Sequence, residues 1–174
     1  MNLEDARAAR LFTLVKDAKS QADCLIVSSH WGPNWGYQPP NSHVAFGRAL
    51  VDAGADVVYG HSAHIFRGIE VRHGRPIVYS TGDFVDDYAV DEIERNDESF
   101  AFMLDFQDGA VRDLCLYPTL MSDFRARRAG PAEARRIAAK MRFLCDQLGT
   151  PSAWDSVGNC LVVRVSEAAE RAVH

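Results

Sequence analysis

The chain has 174 residues, 47% hydrophobic and 25% charged, which is material for one globular core. A formal net charge of -5 leaves no basic face for nucleic acid, and no apolar run reaches the length of a membrane span. The four cysteines, Cys24, Cys115, Cys145 and Cys160, are scattered without a C-x-x-C pair, so free thiols, a reducing compartment and a cytoplasmic location are expected.

The start, Met1-Asn2-Leu3-Glu4-Asp5, is acidic and has no signal-peptide character; Asn2 is placed to cap a helix. Residues 3–19 read as that helix, with Ala8, Leu11, Phe12, Val15 and Ala18 on one face and Arg7, Arg10, Lys16 and Lys19 opposite. Residues 23–29, around Leu25-Ile26-Val27, read as a buried strand. A loop rich in Gly, Pro and Trp runs from His30 to Pro40. Asn41 then caps a second helix to about Ala53, with Gly54 as its stop, and residues 56–59 form a second strand. Strand, helix, strand at this spacing predicts a parallel pair, with His30 and the Gly60-His61-Ser62-Ala63-His64 turn just beyond neighbouring carboxyl ends.

Ile69–Val71 and Pro76–Tyr79 flank Arg72-His73-Gly74-Arg75, a hairpin that leads into the polar loop Ser80-Thr81-Gly82-Asp83-Phe84. The acidic stretch from Asp86 to Glu98 reads as a solvated surface loop. Phe100–Phe106 and Val111–Leu116 form another hairpin, around a type I′ signal at Asp108-Gly109. Gly130-Pro131 opens a helix to about Leu148, with Ile137, Met141, Leu144 and Leu148 as its apolar stripe, and Cys160–Val165 is the last strand. No repeat or linker divides the chain, so residues 1–174 read as a single domain.

His30, His61 and His64 are the chemically pointed residues, because neutral imidazoles gathered at strand ends suit divalent metals of the zinc, iron and manganese type. Two readings stand side by side for His30: a metal ligand, or a loop histidine bonding a carbonyl while Trp31 and Trp35 pack. Asp83 reads either as a turn residue or as a pocket carboxylate. His43 and His73 read as surface residues, and Arg125, Arg127 and Arg128 as a solvated connector or a contact for anionic groups. There is no phosphate-binding glycine loop, no G-x-S-x-G elbow and no cysteine set beside the histidines.

Five segments in order carry a family resemblance: Ser29-His30-Trp31-Gly32-Pro33-Asn34-Trp35-Gly36-Tyr37, Leu50 to Val58, Gly60-His61-Ser62-Ala63-His64, Gly68-Ile69-Glu70-Val71 and Tyr79-Ser80-Thr81-Gly82-Asp83-Phe84. The chain resembles the bacterial capsule-synthesis CapA family, named for poly-γ-glutamate capsule formation and similar to calcineurin-like metallophosphoesterases. The resemblance implies an α/β fold, an α/β/β/α sandwich with a two-metal centre, of which this chain supplies the C-terminal half. It implies His30, His61 and His64 as metal ligands, Trp31, Asn34, Tyr37 and Asp83 on the substrate side, and two divalent ions in the complete domain. Relatives often carry His where Ser62 stands and Asn where Asp83 stands. The Asp, Gly-Asp and Asn-His motifs that supply the first ligands and the general-acid histidine have no counterpart here, so they are expected in a preceding N-terminal half. Three functions are open on this reading. The first is a metal-dependent phosphoesterase-type hydrolase acting on an anionic small molecule or polymer. The second is a non-catalytic accessory protein that binds an anionic polymer during synthesis or export. The third is a metal-dependent amide hydrolase trimming such a polymer.

Overall fold

A computed structural model describes residues 3–86 and 89–165; Asn2, Asp87 and His174 lie outside the described residues. Helix α1 spans Ala6–Lys19, beginning three residues later than the apolar pattern suggests because Asp5 is the cap, its carboxylate accepting the Arg7 N–H at 2.8 Å. Strand β1 (Ile26–His30), helix α2 (Asn41–Asp52) and strand β2 (Val57–His61) follow. Asn41 is the first helical residue rather than the cap; Pro40 holds the cap position with no side-chain bond. β3 (Ile69–Arg72) and β4 (Arg75–Val78) form the expected hairpin, with His73 and Gly74 at φ 51° and 70°, as a type I′ turn requires.

These strands form a sheet in the order β1-β2-β4-β3, with β1/β2 and β2/β4 parallel and β3/β4 antiparallel. The second sheet is antiparallel and is built from β5 (Glu98–Gln107), β6 (Ala110–Ser122), β7 (Arg125–Arg128), β8 (Ser152–Asp155) and β9 (Cys160–Arg164). Its order is β5-β6-β9-β8, with β7 also pairing to β6, and helix α3 (Pro131–Gln147) lies between β7 and β8 in the chain.

Two cores hold the layers together. Val15, Leu50 and Val51 from the helices meet Trp31, Val58, Ile77 and Tyr79 on one face of the first sheet. On its other side Val57, Ile69 and Val78 join Leu114, Leu116 and Val163 of the second sheet and Ile137, Met141 and Leu144 of α3 in one continuous core. α1 and α2, the two sheets and α3 make an α/β sandwich of the calcineurin-like metallophosphoesterase type. Burying a Leu or Ile side chain contributes on the order of 1.5–3 kcal/mol, so the second core alone accounts for much of the fold's stability.

Three expectations change. The Arg125–Arg128 segment is not a connector but strand β7, with Arg127 paired to Glu133 at 3.4 Å and Arg128 set over the Tyr117 ring. The acidic stretch is not uniformly solvated: Asn96 and Glu98 are each 1% exposed, and Glu98 meets Arg95 at 3.1 Å and also Arg136. β8 is a strand that no alternation announces. The four cysteines are free, as expected. Burial pushes the Cys145 thiol up to about 12 and contributes most to raising Cys160 to about 11. No helix among the described residues is long and apolar enough to cross a membrane.

Candidate metal centre

The parallel register of β1 and β2 sets Ser29 opposite Gly60 and His30 opposite His61. Both histidines are the last paired residues of their strands, rather than members of the loops beyond them. Their rings meet edge to face with centroids 5.2 Å apart. Gly60 is there for space, not for a turn. A Cβ at this position would lie 2.4 Å from Trp31 Nε1 and 2.6 Å from the Tyr79 carbonyl. The sharp change of direction comes at Ser62, whose φ is 99°.

Trp31 is 8% exposed, and its Nε1–H donates to the Tyr79 carbonyl at 2.8 Å, which ties the end of β1 across β2 to the end of β4. Its indole stacks on His43 at 5.1 Å. His43 is therefore not a simple surface residue: its Nδ1 is buried without a partner, and burial, with the charge of Arg67 second, holds its pKa down. Trp31, His30, His43, Ser28 and Phe46 line a cleft of about 320 Å³ between β1 and α2.

His64 lies three residues beyond His61. Its backbone N–H donates to the Asn34 carbonyl at 2.9 Å, and its ring sits 5.2 Å from that of Trp35. Its Nδ1 lies 3.0 Å from one Asp83 oxygen and 3.2 Å from the other. A carboxylate at this distance fixes the orientation of the His64 ring. Asp83 is set in place by Gly82, whose φ is 72° and whose Cβ would lie 2.8 Å from the Phe66 nitrogen. Burial raises the pKa of Asp83, opposed by the bonds from His64 and Asn96. His64, Asp83 and Asp86 each offer a donor atom within 4.8 Å of the other two, and among the described residues they are the group of three that does so. One imidazole and two carboxylates form a donor set that suits a divalent cation. The structure thus gathers His30 with His61, and His64 with Asp83. It adds Asp86, which the charge run of the sequence concealed.

The substrate-side residues are placed unequally. Asn34 is exposed and its carbonyl serves His64. Tyr37 is half-buried, its hydroxyl donating to the Glu94 carbonyl and accepting from Lys140, whose ammonium stands 3.9 Å from the ring centroid. Burial, then the charge of Glu94, holds the Tyr37 phenol protonated well above its usual range. Trp35, read from the sequence as a packing residue of the loop, is 42% exposed and lies against His64. One residue escaped the sequence reading. Arg67, fully buried, donates Nε to the Gly36 carbonyl at 2.9 Å and Nη2 to Pro33 at 2.7 Å and Trp35 at 3.2 Å, fixing the loop that carries Asn34. The available signal was a lone arginine inside the apolar run Ile65-Phe66-Arg67-Gly68-Ile69.

Comparison with known proteins places this geometry in a family. The model of the family described as "Bacterial capsule synthesis protein PGA_cap" matches residues 2–88, and the chain belongs to that family. It is 40% identical over 139 residues to a probable polyglutamine synthesis accessory protein of Mycobacterium tuberculosis, covering 75% of this chain and 36% of the relative. It is 42% identical over 74 residues to the PGA biosynthesis protein CapA of Bacillus subtilis, covering 42% of this chain and 20% of the relative. The capsule biosynthesis protein CapA of Bacillus anthracis is 39% identical over 69 residues, covering 40% and 17%. The chain spans about a third or less of the length of these relatives.

Proposed function

We propose that this protein works in the synthesis of poly-γ-glutamate or a similar anionic capsule polymer, and that the sheet end built from His30, His61, His64, Asp83 and Asp86 holds divalent metal. The observation that carries the metal assignment is the His64 imidazole fixed by the Asp83 carboxylate with Asp86 alongside. The polymer assignment is supported by the names of the relatives. The complete protein, on this reading, is a metal-dependent hydrolase of the phosphoesterase type. Two Mn, Fe or Zn-type ions would be shared between this chain and an N-terminal half that brings the remaining ligands and the general-acid histidine. A bound dication supplies Lewis acidity and a water acidified toward neutral pH.

The chain's own residues do the positioning. Asp83 holds the His64 ring, and the β1/β2 register holds His30 against His61. Trp35 shields the imidazole, which keeps water from competing for it. Asn34 faces the solvent side, where an anionic group would approach. A second reading, a polymer-binding accessory role without turnover, is favoured by the word "accessory" in the mycobacterial relative's name. Metal content after dialysis against Mn²⁺ or Zn²⁺, measured beside phosphodiesterase turnover, separates the two. The hydrolase reading predicts retained metal with weak, metal-dependent turnover in this chain, and loss of metal in His64→Ala. Metal at background in the unaltered chain would overturn the site, and retained metal with no turnover in the full-length protein would leave only the accessory role.

A further inference from the structure

Helix α3 carries its basic residues on two faces. Those facing inward are engaged: Arg136 meets Glu98, and Lys140 lies against Tyr37. Arg135 and Arg142 point elsewhere and have no carboxylate partner among the described residues. Seven residues apart on one helix, they stand about 10 Å from each other along its axis. Between α3 and the β8/β9 edge they border an open groove of about 620 Å³, with Phe143, Trp154 and Leu161 in its lining and Asp146 as its acidic member. Phe143 is 60% exposed and gives the groove an apolar rim. Trp154 presents a half-buried ring to the groove.

We infer that this groove is a binding site for a carboxylate-bearing chain, a γ-linked glutamate polymer, separate from the metal centre. The inference rests on the polymer part of the proposed function and not on its metal part. The complementarity is threefold. Two guanidinium groups match carboxylates spaced along an extended chain. The apolar floor takes the methylenes between them. The Trp154 indole adds a flat ring face beside that floor.

The test is fluorescence anisotropy of a labelled γ-linked oligoglutamate titrated with the full chain, with γ-linked oligo-isoglutamine of equal length, its α-carboxylates replaced by amides, as the uncharged control. Saturable binding is expected, falling with added salt and weakened roughly tenfold or more in Arg135→Ala/Arg142→Ala. Asp146→Asn should tighten it, and the oligo-isoglutamine should bind at least about tenfold less. Arg135 and Arg142 are both exposed, so the double variant should fold, which circular dichroism checks. Equal binding by the double variant, equal binding of oligo-isoglutamine, or a groove occupied instead by a second copy of the chain would overturn the inference. His64→Ala keeps the two questions apart. Intact polymer binding with lost metal supports the groove, and lost polymer binding in that variant alone places the polymer at the metal centre and refutes it.

Discussion

Arg67 carries its charge into the interior with only the carbonyls of Pro33, Trp35 and Gly36 to receive it, and burial lowers its pKa accordingly. Its planar fork meets the three carbonyls from two nitrogens, Nε and Nη2, held in fixed geometry, a spread that the single ammonium nitrogen of a lysine does not reproduce. Arg67→Lys is therefore expected to cost roughly 2–3 kcal/mol in urea unfolding and to speed amide exchange at Trp35 and Gly36. An unchanged midpoint would mean that the loop holds itself. Gly60 offers a second test. Gly60→Ala pushes a methyl into the Trp31 indole and the Tyr79 carbonyl, so a loss of about 2 kcal/mol and a changed near-ultraviolet tryptophan spectrum are expected. The sequence could suggest that a Gly-His pair mattered. It could not show that the glycine makes room for a tryptophan from another strand, because that contact joins residues far apart in the chain.

The elements were legible where period and punctuation agreed. The βαβ unit, the two glycine-turn hairpins and α3 between Pro131 and Gly149 follow from local pattern. β7 was hidden because Arg125-Ala126-Arg127-Arg128 shows no apolar alternation and takes its strand form from pairing with β6. The acidic stretch misled for a related reason: Glu98 is a strand residue whose burial depends on Arg95 and on Arg136 from α3. Within α3, Cys145 is fully buried and accepts the Ile69 N–H at 3.4 Å, so α3 is bonded to the β3 edge. Its thiol sits at about 12 because burial disfavours the thiolate, against an ordinary value of 9.0. The raised folded value means that its contribution is fully present below pH 9 and is lost as pH climbs toward 12, because there the unfolded chain releases a proton that the folded one keeps. Stability should fall in that window by up to about 1.4 kcal/mol per pH unit from this group, and Cys145→Ala should flatten the slope. Identical slopes in the two proteins would contradict it.

Among the described residues, two sheets and three helices place the carboxyl ends of β1 and β2 at one edge of the fold. The family resemblance anticipated this sandwich and the histidines at its rim, since the motifs lie at strand ends. It did not disclose that His64 leans on Asp83 or that Asp86 joins them, because those contacts depend on the path of the 80–86 loop over the sheet. Asp83→Asn keeps the size of the side chain but weakens the charge that holds the His64 ring. Metal affinity, read by equilibrium dialysis, should drop about 10–100-fold while the unfolding midpoint moves little. An unchanged affinity would make Asp83 a turn residue only. Anomalous scattering from crystals grown with Mn²⁺ or Zn²⁺ locates the cation most directly. The account predicts a peak within coordination distance of the His64 imidazole and the Asp83 or Asp86 carboxylate, beside the His30–His61 pair; a fully ordered sheet end with no peak there, or a peak only elsewhere, would contradict it.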